Sequence, residues 1–234
     1  MAAKTLIITG GSRGIGAHVA EAAAALGWRT AIGYRANRAR AEGVVAAVVK
    51  AGGEAVALPV ELAQEGSIER FFAAAEAALG RPDALVNSGG IIGPAGRIER
   101  VGAVALDQLW TVNVTGTLIC CREAIRRMSK QAGGNGGAIV NLSSAASRLG
   151  GAGETVPYAA SKGAIDSLTF GLAQEVAGDG IRVNAVSPGV IDTEIQPPGR
   201  VERIGPLLPM KRVGRPGEVA AAILFLLSDA ATYV

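Results

Sequence analysis

The feature that most constrains the fold is an alternation, along the whole chain, of short apolar runs with longer segments of helical periodicity. Apolar runs of four to eight residues indicate buried strands, and apolar residues spaced three or four apart indicate helices. Strands that alternate with helices form parallel sheets that are covered by helices on both faces. The sequence therefore predicts an α/β fold with a doubly wound parallel sheet.

The predicted strands are Leu6–Ile8, Thr30–Gly33, Val56–Val60, Ala84–Asn87, Ala138–Leu142 and Ile181–Val186. The predicted helices are Ile15–Leu26, Ala39–Lys50, Ile68–Leu79, Leu106–Met128, Pro157–Ala177 and Pro216–Ser228. No linker or repeat interrupts the alternation across the 234 residues. This length is typical of one α/β domain, so we expect residues 1–234 to fold as a single unit.

The charges are nearly balanced and exclude a nucleic-acid groove. The chain has 23 basic and 20 acidic residues, a net charge of +3. Its densest basic run, Arg35–Arg40 (RANRAR), contains no aromatic residue that could stack on bases. A local site for a small anion fits this run better than a nucleic-acid surface.

Targeting signals and cysteine usage favour a cytoplasmic location. The N-terminus lacks the layout of a cleavable signal, and no uncharged apolar stretch reaches the length of about 18 residues that a membrane span needs. Cys120 and Cys121 are adjacent, and neighbouring residues do not readily reach disulfide geometry. We therefore expect two reduced, packed thiols in a soluble cytoplasmic protein without membrane or nucleic-acid partners.

The first predicted strand runs directly into a glycine-rich turn with the sequence TGGSRGIG. Its residues are Gly10, Gly11, Ser12, Arg13, Gly14, Ile15 and Gly16. Glycines let backbone N–H groups approach a pyrophosphate, and the helix N-terminus behind the turn favours negative charge. The G-x-x-x-G-x-G spacing differs from the common G-x-G-x-x-G pattern, and an ordinary strand–helix turn is the alternative. Its position between the first strand and the first helix favours a dinucleotide site.

The end of the second strand indicates which dinucleotide binds. NAD-binding folds place an acidic residue here to accept hydrogen bonds from the adenosine ribose. This chain has Tyr34 and Arg35 instead, with Arg38 nearby and Arg13 in the glycine turn. Because guanidinium groups bind phosphate with a planar fork of donors, the sequence predicts NADP(H), with NAD(H) as the alternative cofactor. Arg35 and Arg38 could otherwise be solvated surface charges.

A second group of polar residues carries acid/base chemistry. Tyr158 and Lys162 are four residues apart in a predicted helix and therefore share one helix face. An ammonium group beside a phenol favours the phenolate and lowers the phenol pKa from its ordinary value of about 10. Ser144, at the end of the fifth strand, is placed to hydrogen-bond a substrate oxygen.

Together, the glycine turn and the Ser–Tyr–Lys set resemble the short-chain dehydrogenase/reductase family over essentially the whole chain. The stretch NLSSAASRLGGAGETVPYAASKGAIDSL is most similar to bacterial glucose 1-dehydrogenases and 3-ketoacyl-carrier-protein reductases. The resemblance implies a Rossmann-like sheet, a nicotinamide cofactor and hydride transfer between that cofactor and a small-molecule carbonyl or secondary alcohol.

The resemblance also implies roles for individual residues. Tyr158 would give or take the proton, Lys162 would hold the nicotinamide ribose and lower the tyrosine pKa, and Ser144 would orient the reacting oxygen. Asn113 would hold a water that continues the proton relay. Further residues implied to contact the cofactor are Val60, Asn87, Gly89, Pro188, Gly189, Ile191 and Thr193.

Several positions depart from the family pattern. Pro59-Val60 stands where the family has Asp-Val, so an adenine contact is lost, and Glu61 lies one position too late. The spacing from Ser144 to Tyr158 is one residue longer than in many members, which leaves Ser143 as the alternative serine. The resemblance implies a seventh strand beyond residue 234 and a longer substrate-covering segment than 195–208.

Two alternative functions stay open in the sequence. A 3-ketoacyl-carrier-protein reductase would need a basic patch for its acidic carrier, for which Arg126, Arg127 and Lys130 are the candidates. A non-catalytic sensor that binds NADP without turnover is the alternative outside the enzymes, but such a protein would not need an acid/base pair. The resemblance further implies a homotetramer or homodimer built through the helices at 106–128 and 157–177.

Overall fold

A computed structural model describes residues 3–234 and contains a six-stranded parallel sheet. The strands are β1 (Thr5–Thr9), β2 (Arg29–Tyr34), β3 (Glu54–Pro59), β4 (Ala84–Asn87), β5 (Gly137–Leu142) and β6 (Ile181–Val186). Their spatial order is β3-β2-β1-β4-β5-β6, so the order reverses between β1 and β4. Open α/β sheets bind ligands outside the carboxyl ends of the strands at such a switch point.

Helices cover both faces of the sheet, as the alternation predicts. They are α1 (Gly14–Ala24), α2 (Arg38–Lys50), α3 (Glu65–Leu79), α4 (Ala103–Trp110), α5 (Gly116–Met128), α6 (Ala146–Leu149), α7 (Val156–Val176), α8 (Arg200–Ile204) and α9 (Pro216–Leu227). Buried residues of α1, α2 and α9 pack on one face, and those of α3, α5 and α7 pack on the other. The predicted doubly wound α/β fold is confirmed.

The two cores follow from the two-residue period of a strand. In β1, Leu6 and Ile8 belong to the core under α1 and α9, whereas Ile7 belongs to the core under α3 and α5. Cys120 and Cys121 lie in this second core as buried free thiols, as expected. Burial raises the pKa of Cys121 to about 12, so this thiol stays protonated and unreactive.

The prediction of one regular α-helix over Leu106–Met128 is wrong in two respects: the helix starts earlier, and it is interrupted. The helical run begins three residues earlier, at Ala103, and Thr111–Thr115 between α4 and α5 form a π-helical turn. There the Gly116 N–H donates to the carbonyl of Thr111, five residues back. A π-turn inserts one residue into a helix without changing which side chains are apolar, and such turns occur frequently at functional sites.

The strands β4 and β6 have the predicted bounds, and the remaining boundaries differ from the predicted ones by a few residues. The strand β3 ends at Pro59, so Val60 lies just outside the sheet, where its N–H donates to the Tyr34 carbonyl (2.8 Å).

The outer edge of β6 borders an open groove of about 1200 Å³ that none of the predicted site residues lines. Over residues 3–234 the structure contains no helix with the length and apolarity needed to span a membrane.

Candidate functional site

The glycine turn packs against the loop after β4 at the carboxyl ends of β1 and β4. Gly10 and Gly14 have φ angles of 65° and 55°, a backbone conformation that residues other than glycine rarely adopt. A Cβ atom on Gly10 would lie 2.7 Å from Cα of Gly89, and one on Gly16 would lie 2.5 Å from the Gly10 carbonyl oxygen. The turn can therefore close against α1 and against the loop after β4 only with glycine at these positions.

A cleft of about 510 Å³ opens above this turn. Ten of the residues expected at the cofactor line it, namely Gly10, Ser12, Arg13, Gly14, Ile15, Tyr34, Arg35, Val60, Gly89 and Thr193. The glycine turn, its helix N-terminus and the arginines form a donor set that suits a phosphorylated dinucleotide. The side chains and backbone present thus fit an NAD(P) molecule.

The cation set at the outer end of the cleft differs from the predicted one. Arg13, Arg35 and Arg40 line the cleft. Arg38 lies outside it and donates from Nε to Glu42 Oε1 at 2.7 Å, one turn along α2. The prediction that Arg38 joins Arg35 is therefore wrong, because the start of α2 directs Arg40 to the cleft and Arg38 away from it. The signal that points to Arg40 is its place in the basic run RANRAR.

Two carboxylates also line the cleft. Glu61 Oε1 accepts a hydrogen bond from the Ala63 N–H (3.2 Å), so it is held by its own backbone loop. Glu194 accepts a hydrogen bond from Arg40, and Arg13 Nη1 lies 3.6 Å from the same oxygen, Glu194 Oε2. Hydrogen bonding to Arg40 is the main cause that holds the pKa of Glu194 below its usual value, and Arg13 adds to this effect. Sequence reasoning missed Glu194.

Asn87 faces the protein interior and not the cleft. Its Nδ2 donates to Asn141 Oδ1 at 2.9 Å and contacts Cys121 Sγ at 3.3 Å. Asn141 Nδ2 in turn donates to Thr169 Oγ1 on α7 at 2.9 Å. The side chain expected at the cofactor instead links β4 to β5 and, through Asn141, to α7.

A second, smaller cavity of about 110 Å³ adjoins the cleft and contains the residues expected to carry the acid/base chemistry. The predicted site residues that line it are Ile15, Ser144, Tyr158, Lys162, Pro188, Gly189, Ile191 and Thr193. Ser144 follows β5, Tyr158 and Lys162 lie on α7, and the segment 188–193 follows β6. The sheet therefore gathers groups that are far apart in sequence at the carboxyl ends of neighbouring strands.

Lys162 is buried and anchored beneath the cavity. Its Nζ donates to the Leu142 carbonyl oxygen at 2.6 Å and lies 5.7 Å from the centroid of the Tyr158 ring. Burial lowers the pKa of Lys162 to about 8, and the nearby Asp166 carboxylate partly opposes this. The ammonium group is therefore only partly charged at slightly alkaline pH.

The pKa of Tyr158 is shifted in the direction opposite to the expected one. Burial raises the pKa of the phenol, and a hydrogen bond with Ser144 partly opposes the rise. The expected net lowering of the Tyr158 pKa is wrong for this structure, because desolvation of the phenol dominates and Lys162 Nζ hydrogen-bonds to the Leu142 carbonyl rather than to the phenol. The tyrosine is accordingly a protonated acid at neutral pH.

The two adjacent serines have different surroundings. Ser143 is buried, and its Oγ donates to the backbone carbonyl of Lys162 at 3.2 Å. Ser144 is half-buried, its Oγ accepts from the Ala146 N–H at 3.1 Å, and it lines the smaller cavity together with Tyr158, whose pKa it partly lowers. This geometry favours Ser144 over Ser143 as the residue that meets a substrate oxygen.

Asn113 lies on the π-helical turn and joins two parts of the site. Its Oδ1 accepts from the Ile91 N–H at 2.9 Å, and its Nδ2 donates to the Ile91 carbonyl at 2.8 Å and to Ser161 Oγ at 3.2 Å. Ser161 Oγ donates to the Tyr158 carbonyl at 2.7 Å. Both amide hydrogens of Asn113 are thus used within the protein, and its side chain fixes the loop after β4 to α7.

The similarity of this chain to known proteins includes the residues of both cavities. The family model described as Enoyl-(Acyl carrier protein) reductase matches residues 10–234. The oxidoreductase YgfF of Escherichia coli is 47% identical over 232 residues, which are 97% of this chain and 94% of that protein. The human 3-oxoacyl-[acyl-carrier-protein] reductase is 37% identical over 226 residues, which are 97% and 92% of the two chains.

A solved structure is similar over the same range. A short-chain dehydrogenase from Burkholderia cenocepacia in complex with NADP has a TM-score of 0.92 and 31% sequence identity to this chain. The match covers 99% of this chain and 93% of that one. The glycine turn, the arginine-lined cleft and the tyrosine cavity therefore all lie within the matched region.

Proposed function

This chain belongs to the short-chain dehydrogenase/reductase family of oxidoreductases, and we propose that it transfers a hydride between NADP(H) and a carbonyl or secondary-alcohol substrate. The observation that carries this proposal is the continuity of the two cavities. They share Ile15, Ser88, Gly90, Ile91, Thr193 and Ile195 as lining residues. One extended ligand can therefore reach from the arginines at one end to Tyr158 at the other.

The acid/base step belongs to the chain's own residues. When bound, the nicotinamide supplies or accepts the hydride. Tyr158 gives its proton to the carbonyl oxygen during reduction and takes it back during oxidation, while Ser144 holds that oxygen. The charged form of Lys162 favours the phenolate that remains after reduction. Asn113 positions the π-turn and the first turn of α7 beside this site.

The preference for NADP(H) is proposed from Arg35 together with Arg13 and Arg40. Within the described chain, residues 3–234, Arg35 forms no ion pair, so its guanidinium can bind a 2′-phosphate. We expect Arg35→Asp to lower the ratio of kcat/KM for NADPH over NADH by about 30-fold or more, because it removes a cation and adds a charge that repels the phosphate.

Arg38→Asp is the matched control for this experiment. It makes the same change three residues away, outside the cleft, where Arg38 pairs with Glu42. Its NADPH-to-NADH ratio is expected to remain within about threefold of the wild-type ratio. Equal changes in the two variants would mean that Arg35 acts only through the general field of the basic run.

Reduction of 3-oxoacyl thioesters is the second candidate function, and the similarity to the human 3-oxoacyl-[acyl-carrier-protein] reductase supports it. The predicted basic patch does not support it. Arg126 and Arg127 pair with Glu123 near the end of α5. There the Met128 carbonyl accepts from the Gly136 N–H just before β5, so the two arginines lie near the amino end of β5, whereas Ser144 follows its carboxyl end.

The experiment that tests the proposed function is a substrate panel. Simple ketones, 3-oxoacyl thioesters and oxidised sugars such as gluconolactone are supplied with NADPH, and NADPH loss is followed by absorbance. The proposal requires turnover of at least one class, and a preference for thioesters would favour the second candidate. Stable NADPH with every class would contradict both.

Self-association is proposed from apolar side chains that α4, α5 and α7 leave exposed. Val104 and Phe170 are 83% and 74% exposed, and Trp110 and Leu118 are partly exposed. Large apolar side chains that are exposed on neighbouring helices are candidates for protein–protein contact sites. Light scattering is expected to give the mass of a dimer or tetramer, and a mass near the 23.6 kDa of one chain would contradict this.

A further inference from the structure

Glu194 occupies the arginines at the outer end of the cofactor cleft. One of its oxygens, Oε2, accepts a hydrogen bond from Arg40 Nη1 and also lies 3.6 Å from Arg13 Nη1. The three residues come from the segment after β6, the start of α2 and the glycine turn. A single carboxylate oxygen therefore joins two guanidinium groups across the mouth of the cleft.

The contact neutralises part of the charge that a phosphate would use. Arg13, Arg35 and Arg40 carry three positive charges along the cleft. The negative charge of the Glu194 carboxylate offsets one of them. The arginines also hold the pKa of Glu194 below its usual value, so this carboxylate stays ionised at neutral pH. A phosphate that reached Arg13 and Arg40 would meet this negative charge at the same donors.

The Glu194 carboxylate can move away from the arginines into solvent. The side chain of Glu194 is 53% exposed, so it can leave the arginines for water without burying a charge. An exposed ion pair contributes little to stability, whereas a phosphate offers more charge and more acceptor oxygens to the same guanidinium groups. The exchange of carboxylate for phosphate is therefore favourable but has a cost.

We propose that Glu194 is an internal competitor for the arginines that bind the 2′-phosphate, and that it weakens binding of NADP(H) without affecting binding of NAD(H). This inference rests on the proposed preference for NADP(H) and names a residue that sets its strength. The carboxylate mimics the ligand phosphate and must leave Arg13 and Arg40 before the phosphate binds.

Calorimetric titration with nucleotide fragments tests the proposal without turnover. The probes are adenosine 2′,5′-bisphosphate, which carries the 2′-phosphate, and AMP, which lacks it. Glu194→Gln keeps the size of the side chain and removes its charge. We expect this variant to bind the bisphosphate about three- to tenfold more tightly than the wild type and to bind AMP unchanged.

Glu42→Gln is the matched control. It removes the carboxylate of another exposed Arg–Glu pair, with Arg38, and this pair lies outside the cleft. It is expected to bind both probes as the wild type does. An equal gain in the control would mean that net charge alone strengthens binding, and the proposal would be overturned.

The outcomes separate this inference from the proposed cofactor preference. If the wild type prefers the bisphosphate but Glu194→Gln binds it equally well or more weakly, only the inference is overturned, and Glu194 then orients the arginines. If the wild type and Arg35→Asp bind the bisphosphate and AMP alike, the proposed NADP(H) preference fails, and the inference fails with it.

Discussion

Replacing Tyr158 with phenylalanine is expected to lower kcat about a thousandfold while NADPH affinity stays within about twofold. The substitution removes only the hydroxyl, which is the proton donor of the proposed reaction, and proton transfer by a positioned side chain contributes roughly 10²–10⁴ in rate. The ring remains in place beside Lys162, so the cavity keeps its shape. Turnover is measured with the best substrate of the panel, and NADPH affinity by calorimetry.

Tyr233→Phe provides the control for loss of a phenol. Tyr233 is fully exposed near residue 234 and lines neither the cofactor cleft nor the tyrosine cavity. Its variant is expected to keep wild-type turnover. Tyr158→Phe with turnover close to that of the wild type would remove Tyr158 from the reaction and with it the proposed acid/base step.

Replacing Lys162 with methionine is expected to lower kcat about a hundredfold. Methionine fills much of the same buried volume but removes the positive charge that lies 5.7 Å from the Tyr158 ring centroid. Without that charge, the phenolate left by proton transfer is less favourable. The variant also leaves the Leu142 carbonyl without its 2.6 Å donor, so its melting temperature is recorded beside its turnover.

The pH profile separates the charge of Lys162 from a purely structural role. Because burial lowers the pKa of Lys162 to about 8, the ammonium is charged below that pH and neutral above it. Carbonyl reduction by the wild type should therefore decline as pH rises through about 8. Lys162→Met should lack this decline, and Lys50→Met, an exposed control on α2, should retain it. The same decline in Lys162→Met would assign it to another group.

The fold was predictable because its determinants are local. Strand-length apolar runs and helical periodicity identify β1 to β6 and the longer helices. The glycine turn identifies the strand before it, β1, as the one expected to lead into the cofactor site. The π-turn at 111–115 escaped prediction because its extra residue does not alter which side chains are apolar. The family resemblance implies a role for Asn113, but the sequence does not show that its amide joins Ile91 to Ser161.

The site was predictable where one motif carries several of its residues. Tyr158 and Lys162 lie on one helix face, so their spacing sufficed to pair them. The direction of the Tyr158 pKa depends on how deeply α7 buries the ring, which spacing does not encode. Glu194 lies 154 residues from Arg40, and only the folded arrangement of the start of α2 and the segment after β6 brings the two together.

Deuterium transfer tests the central claim most directly. NADPH deuterated at both C4 positions is incubated with the best carbonyl substrate, and the alcohol product is analysed by mass spectrometry. Wild-type protein is expected to place one deuterium on the carbinol carbon, and Tyr158→Phe to form almost no product in the same time. A wild-type product without deuterium, or deuterated product formed as fast by Tyr158→Phe, would contradict hydride transfer with Tyr158 as the proton donor.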